Sequence, residues 1–168
     1  MSHAKNKIKW CLNKAKKEMN EGKKHRGLVV IKPDEKKAMD HIAKAEHNIN
    51  VTLYLHNGGF TDWCSSSLFY VMYHSFLAIL AKFGYESRNQ ECTFAVIRSL
   101  VEDNKISLEK DDLEKISSLG KGQEESTFVS IREEYQYSTK TSLGNKEYED
   151  LLNLAKKILD QTKEIIEE

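Results

Sequence analysis

Leu68-Phe69-Tyr70-Val71-Met72-Tyr73-His74-Ser75-Phe76-Leu77-Ala78-Ile79-Leu80 is the stretch on which the fold turns. Apolar residues cover almost every face at helical spacing, so the helix it predicts must be surrounded by others. Thr61 or Asp62 caps it, Trp63 lies in its first turn, and Phe83-Gly84 ends it. Tyr70, Tyr73, His74 and Ser75 interrupt the run, which falls short of the roughly 18 to 20 apolar residues that cross a bilayer. It therefore reads as a core segment, with Ser65-Ser66-Ser67 as small packing surface.

Working outward toward the N-terminus, Ala38, Ile42, Ala45, Ile49, Leu53 and His56 form an apolar stripe. Pro33 and the acids Asp34-Glu35 open that helix and Gly58-Gly59 stops it. Before it, Lys23 to Pro33, with Leu28-Val29-Val30-Ile31, is a linker or short extended piece. Ile8, Leu12, Ala15 and Met19 mark a basic amphipathic helix over residues 3–21. On the C-terminal side, a helix starting near Ser87 carries Cys92, Phe94, Ala95, Ile97, Leu100 and Val101. Then come a short helical piece over Leu108–Leu119, a loop over Gly120–Gln123, a helix from Glu125 to Tyr137, and a last helix from Lys146 carrying Leu151, Leu152, Ala155, Ile158 and Ile165. Strand-period alternation does not persist and no repeat is visible, so the expected fold class is all-α, an up-and-down antiparallel helical bundle with an N-terminal basic helix. A chain of 168 residues can bury about 70% of the surface its unfolded form exposes, enough for one core without a staple. The expected organisation is a basic helix and linker over 1–33 and a bundle over 34–168.

Charge is balanced in total, with 26 basic and 26 acidic side chains, but not along the chain. Residues 1–50 carry +7, residues 51–100 are neutral and residues 101–168 carry −7. Zero net charge argues against wholesale nucleic-acid binding, yet Lys16, Lys17, Lys23, Lys24 and Arg26 could neutralise phosphates. A solvated helix face, or terminal segments that neutralise each other, explains the same lysines. Trp10 is the only aromatic there, so stacking on single strands is not indicated by the sequence. Cys11, Cys64 and Cys92 are odd in number, far apart and without a CxxC pair, and are expected to be reduced, small buried residues. The first twenty residues lack the apolar run of a secretory signal, and the expected location is the cytoplasm, with no membrane association. No Gly-rich phosphate loop, HExxH pair or GxSxG elbow occurs, and His41 and His47, six apart, are poor co-ligands on a helix. Neither a metal nor a cofactor is expected.

The segment with more specific content is Gly84-Tyr85-Glu86-Ser87-Arg88-Asn89-Gln90-Glu91-Cys92-Thr93, which begins where the central helix stops. Taken with the Tyr-rich helix Ser67 to His74 before it, and with Arg132-Glu133-Glu134-Tyr135-Gln136-Tyr137 before the last helix, it resembles the HEPN domain, in its small prokaryotic branch. The likeness runs from Asp34 to Ile166 and leaves residues 1–33 outside.

The resemblance implies a bundle that pairs with a second copy and places polar residues of both in a shared cleft. Nuclease members of the family cut RNA without metal, using Arg, a following polar residue and, a few positions later, His. The chemistry suits them: a titrating imidazole takes a proton while a fixed guanidinium meets the charge growing on phosphate. Arg88 matches the motif Arg and Asn89 its polar neighbour, but Thr93 stands where His is required, and Phe94 to Ile97 supply none. The expectation is a nucleotide- or RNA-binding or partner-binding module that does not hydrolyse, with Arg88, Asn89 and Thr93 at its ligand. Homodimerisation and a place beside a nucleotidyltransferase in a toxin–antitoxin pair go with that resemblance. Two alternatives stay open: a metal-independent endoribonuclease using Arg88, Asn89 and a displaced base, His74, and a purely structural dimeric interaction protein.

Overall fold

The structure, a computed structural model, describes residues 1–117 and 127–168. These residues form seven helices and one two-stranded sheet: α1 (His3–Asn20), β1 (Leu28–Val30), α2 (Glu35–Asn57), α3 (Thr61–Lys82), β2 (Tyr85–Ser87), α4 (Gln90–Glu102), α5 (Lys110–Ile116), α6 (Phe128–Tyr137) and α7 (Asn145–Glu167). The fold class is all-α, a helical bundle with 73% of the described residues helical. Residues group into two compact units, one made of 1–41, 76–107 and 162–168, the other of 42–75 and 108–161.

In the first unit, α1 packs against α4 with Ala4, Cys11 and Ala15 as its buried residues. Small residues at that line let the backbones come close. Cys11 and Cys92 form a disulfide, with their Cα atoms 5.9 Å apart, while Cys64 is a free buried thiol. The expectation of three reduced thiols is thus corrected. Burial was read properly, but spacing in sequence cannot show that packing α1 on α4 brings together residues 81 apart. Gly27 is required just before residue 28, where the chain packs back on the middle of α1, because a Cβ there would lie 2.5 Å from the Cys11 carbonyl oxygen.

Of the two readings of Lys23 to Pro33, linker or short extended piece, the second holds for Leu28–Val30, which is strand β1, paired antiparallel with β2 in the register Leu28↔Ser87, Val29↔Glu86, Val30↔Tyr85. Three β-branched residues or leucines in a row favour an extended backbone, and the segment after α3 gives it a partner. Gly84 makes the turn possible: its φ is +80°, and a Cβ would lie 2.8 Å from the Ile31 carbonyl oxygen. Consequently α4 starts at Gln90, later than expected from near Ser87, and Asn89 caps it by accepting from the Cys92 N–H. Lys82 donates to the carbonyls of Ile165 and Ile166 at 2.6 and 3.1 Å, which closes the last turn of α7.

In the second unit the buried line of α2 is Ile42, Ala45, Asn48 and Thr52. Leu53, expected in the stripe, is exposed, and so is Trp63 of α3. Polar residues take the inner line because their hydrogen bonds are met locally: Thr52 Oγ1 donates to the Asn48 carbonyl at 2.8 Å and lies 2.6 Å from Ser67 Oγ. His56 stacks on Tyr148 with ring centroids 4.0 Å apart. Phe69 packs on Phe128 and carries the Arg132 guanidinium 4.5 Å above its ring. The expected loop Gly120–Gln123, and the expected helix ends at Leu119 and Glu125, lie outside the described residues. Thr127 caps α6 by accepting from the Ser130 N–H.

By length and composition α3 could cross a membrane after all, since its 22 residues include an 18-residue window of mean hydropathy 1.4. Of that window 67% is buried inside the protein, as in the core helix of a bundle.

Candidate functional site

The short sheet delivers Glu86 to the middle of a cationic cluster in the first unit. Lys37, at the start of α2, reaches Glu86 Oε2 with Nζ at 2.9 Å. Arg88 donates from Nε at 3.1 Å and from Nη2 at 3.0 Å to Oε1, and His25 Nε2 lies 3.3 Å from the same oxygen. The hydrogen bond from Lys37 is the chief reason that the Glu86 carboxyl is held down at about 2; partial burial opposes the shift, and the Lys37 charge, His25 and Arg88 add to it. At neutral pH Glu86 is ionised, and its carboxylate is shared by the Lys37 ammonium and the Arg88 guanidinium.

Beside this cluster is a hollow of about 220 Å³ lined by Lys37, His41, Leu77, Ala81, Tyr85, Glu86, Ser87 and Arg88. His41 comes one turn after Lys37 on α2. Burial first, and the Lys37 charge second, push its imidazole below the ordinary value, against the pull of Asp40. An imidazole, a guanidinium and an ammonium thus line one small hollow together with the apolar Leu77 and Ala81.

The expected site residues fall in several places. Arg88 is an exposed side chain, 41% accessible, and its backbone N–H donates to the Gly27 carbonyl at 3.0 Å, which fixes the residue just past the strand pair. Asn89 spends its side-chain oxygen on the helix cap. Thr93 is 0% exposed, and its hydroxyl lies 2.9 Å from Ser87 Oγ and 3.0 Å from the Asn89 carbonyl oxygen. Its hydroxyl thus braces the capping turn, while the Arg88 guanidinium is turned to Glu86. His74 belongs to the second unit, beside the rings of Tyr70 and Tyr73. Lys16, Lys17, Lys23, Lys24 and Arg26 are all exposed. Lys23 pairs with Glu21 at 2.8 Å, and Glu18 accepts from the Arg26 backbone N–H at 2.5 Å.

Sequence reasoning weighed His41 only as a metal ligand and did not connect Lys37, His25 or Glu86 with one another. The available signal was Leu28-Val29-Val30-Ile31, bounded by Gly27 and Pro33, which has the composition of a strand. A strand needs a partner, and pairing it with Tyr85 to Ser87 brings the residues flanking β1 to Glu86.

A comparison with curated proteins finds no match. The model of the HEPN domain matches residues 38–165, which takes in α2 through α7 and the Arg88 segment and leaves α1 and β1 outside. With the helical bundle and that match covering most of its length, the chain belongs to the HEPN domain family.

Proposed function

We propose that this HEPN protein holds a nucleotide or RNA at the Arg88 hollow without hydrolysing it. Membership of the family makes it a nucleotide- or RNA-related module in general. The observation that carries the finer reading is at Thr93: the position of the motif imidazole holds a hydroxyl that does not titrate in the physiological range and is wholly buried under the Asn89 cap. Arg88 keeps its place without a general base at the expected spacing. With Lys37 and Arg88 against Glu86, the cluster retains one net positive charge, and an incoming phosphate competes with the Glu86 carboxylate for the same donors.

That competition supplies the test. Titration with inorganic phosphate and then with mononucleotides, followed calorimetrically, should give weaker binding for Arg88→Ala and tighter binding for Glu86→Gln. Equal affinities for the wild type and both variants would place the ligand elsewhere.

We also propose that the protein acts as a symmetric homodimer, beside a nucleotidyltransferase in a toxin–antitoxin pair, and in the cytoplasm. Exposed Trp63 and Tyr70, seven residues apart on α3, support a paired state. Sedimentation should give particles of twice the 19.4 kDa chain mass; only single chains at tens of micromolar would refute pairing. The Cys11–Cys92 disulfide is a bond that a reducing cytoplasm disfavours, so thiol counting on protein isolated under alkylating conditions tests the location: a bond already formed in the cell would refute it.

One observation favours a second reading, the metal-independent endoribonuclease. The imidazole that lines a hollow with Arg88 is His41, from α2, and its lowered pKa suits a base at neutral pH. Under this reading RNA cleavage is lost in His41→Ala and survives in His74→Ala. Cleavage that needs neither histidine would end it.

A further inference from the structure

The exposed side of α1 carries a second arrangement, outside the span matched by the family. Trp10, Asn13, Lys14, Lys17, Glu18, Glu21, Lys23, Lys24 and Arg26 line an open groove of about 1120 Å³. Trp10 is 49% exposed and follows the outer line of the helix, away from Ala4, Cys11 and Ala15. Trp10, Lys14 and Lys17 are four and three residues apart, so they stand on one face over about 10 Å of axial rise. Two of the groove's acids are already engaged, Glu21 by Lys23 and Glu18 by the Arg26 backbone N–H. The five cations outnumber them and leave the groove positive.

We propose that this groove binds single-stranded nucleic acid, with the Trp10 indole stacking on one base and Lys14, Lys17, Lys24 and Arg26 meeting the phosphates on either side. The charge calls for a polyanion, and the indole selects among polyanions. An acidic peptide would satisfy the lysines and leave the ring unused, whereas an unstacked base offers it a planar face. A duplex keeps its bases stacked on each other, so the single strand is the form that fits. The Lys7 and Lys14 ammonium groups lie 4.5 and 5.2 Å from the ring centroid. Such exposed cation–π contacts are worth a few-fold in an equilibrium constant, while base stacking is worth roughly tenfold to a hundredfold, so a base displaces the Lys14 ammonium and frees it for phosphate. The absence of other aromatics limits the site to a single stacked base. It does not argue against stacking, because it is the exposure of Trp10, invisible in the sequence, that makes the ring usable.

The experiment uses the full chain, and the titration of Trp10→Phe, in which Trp63 is the only indole, gives the background that is subtracted. Twelve-nucleotide RNA and DNA strands of one mixed sequence, the blunt RNA duplex and a polyglutamate peptide are titrated against Trp10 fluorescence, and parallel anisotropy with labelled oligomers covers variants lacking the ring. Both single strands should quench Trp10 with similar affinity, since neither stacking nor phosphate contact uses the 2′-hydroxyl. Trp10→Ala should weaken binding roughly tenfold to a hundredfold, and Trp10→Phe should restore most of it. The Lys14→Ala/Lys17→Ala/Lys24→Ala variant should instead flatten the dependence of log affinity on log salt by about 0.7 per lost contact. Far-ultraviolet dichroism should not change for Trp10→Ala, because the ring supports nothing in the core. The proposal is overturned if Trp10→Ala binds as tightly as the parent, if the duplex binds better than the strands, or if polyglutamate quenches equally. Because these residues lie outside 38–165 and the readout is Trp10 itself, its failure is distinguishable from failure at Arg88.

Discussion

Reducing the Cys11–Cys92 bond removes a link between residues 81 apart and leaves the folded contacts of α1 on α4 in place. In the chain-entropy treatment, closing a loop of that length is worth about 4.5 kcal/mol, and measured losses for native disulfides run at about 2 to 5 kcal/mol. With a urea m-value of about 2 kcal/mol/M for a chain of this size, the unfolding midpoint should fall by about 1 to 2.5 M on reduction. The m-value itself should rise, since the reduced denatured chain exposes more surface. Thiol counting fixes the starting state: air-oxidised protein should show one thiol after unfolding and reduced protein three. The single thiol, Cys64, should not react in the folded protein at pH 8, because burial, with Asp62 adding to it, pushes it up to about 11. Three thiols in unreduced protein, or a midpoint that does not move on reduction, would refute the reasoning.

The Glu86 cluster gives a pH prediction. Its carboxyl titrates at about 2 in the fold and near 4.5 unfolded, so the stability it contributes is present above pH 4.5 and is lost as pH falls toward 2. Solvent screening at this partly open site cuts the contribution to roughly 1 to 2 kcal/mol; Glu86→Gln should flatten the denaturation profile in that window, and an unchanged profile would show the cluster to be energetically idle. Gly84→Ala, at φ +80° and 2.8 Å from a carbonyl oxygen, should cost roughly 1 to 3 kcal/mol and lower the melting temperature by about 3 to 10 °C. Gly22→Ala, with open space around it, should cost about 1 kcal/mol at most, so similar losses at both positions would contradict the packing described at the strand turn. Asn89→Ala should remove about 1 kcal/mol as a lost helix cap, readable in urea denaturation; a neutral result would mean that the Cys92 N–H finds another partner.

Helices were legible because their signals are local. The stripe Ala38-Ile42-Ala45 and the leucines of α7 repeat at 3.6 residues, the apolar run of α3 is long and continuous, and Gly59 and Pro33 mark boundaries without help from tertiary structure. What depends on distant residues was hidden. Leu28 to Val30 becomes a strand only because Tyr85 to Ser87 pairs with it, and Cys11 finds Cys92 only because α1 lies on α4. The inner line of α2 shows a second limit: hydropathy favours Leu53 inside, but Thr52 is the one buried, since its hydroxyl is satisfied by Asn48 and Ser67. At the site, the motif comparison picked out Arg88, Asn89 and Thr93 as a contiguous segment. It could not show that Asn89 is occupied as a cap or that Lys37 and His41 arrive from α2, because a linear motif carries no information on what packs beside it.

Incubating the wild type and Arg88→Ala with a mixed RNA pool in the presence of chelator, with bound and cut RNA quantified in the same samples, tests the central claim most directly. The account predicts RNA that stays intact with both proteins and is retained less by Arg88→Ala, with the difference persisting when both proteins also carry Trp10→Ala, which disables the α1 groove. Chelator-resistant cleavage by the wild type that disappears in Arg88→Ala would contradict it.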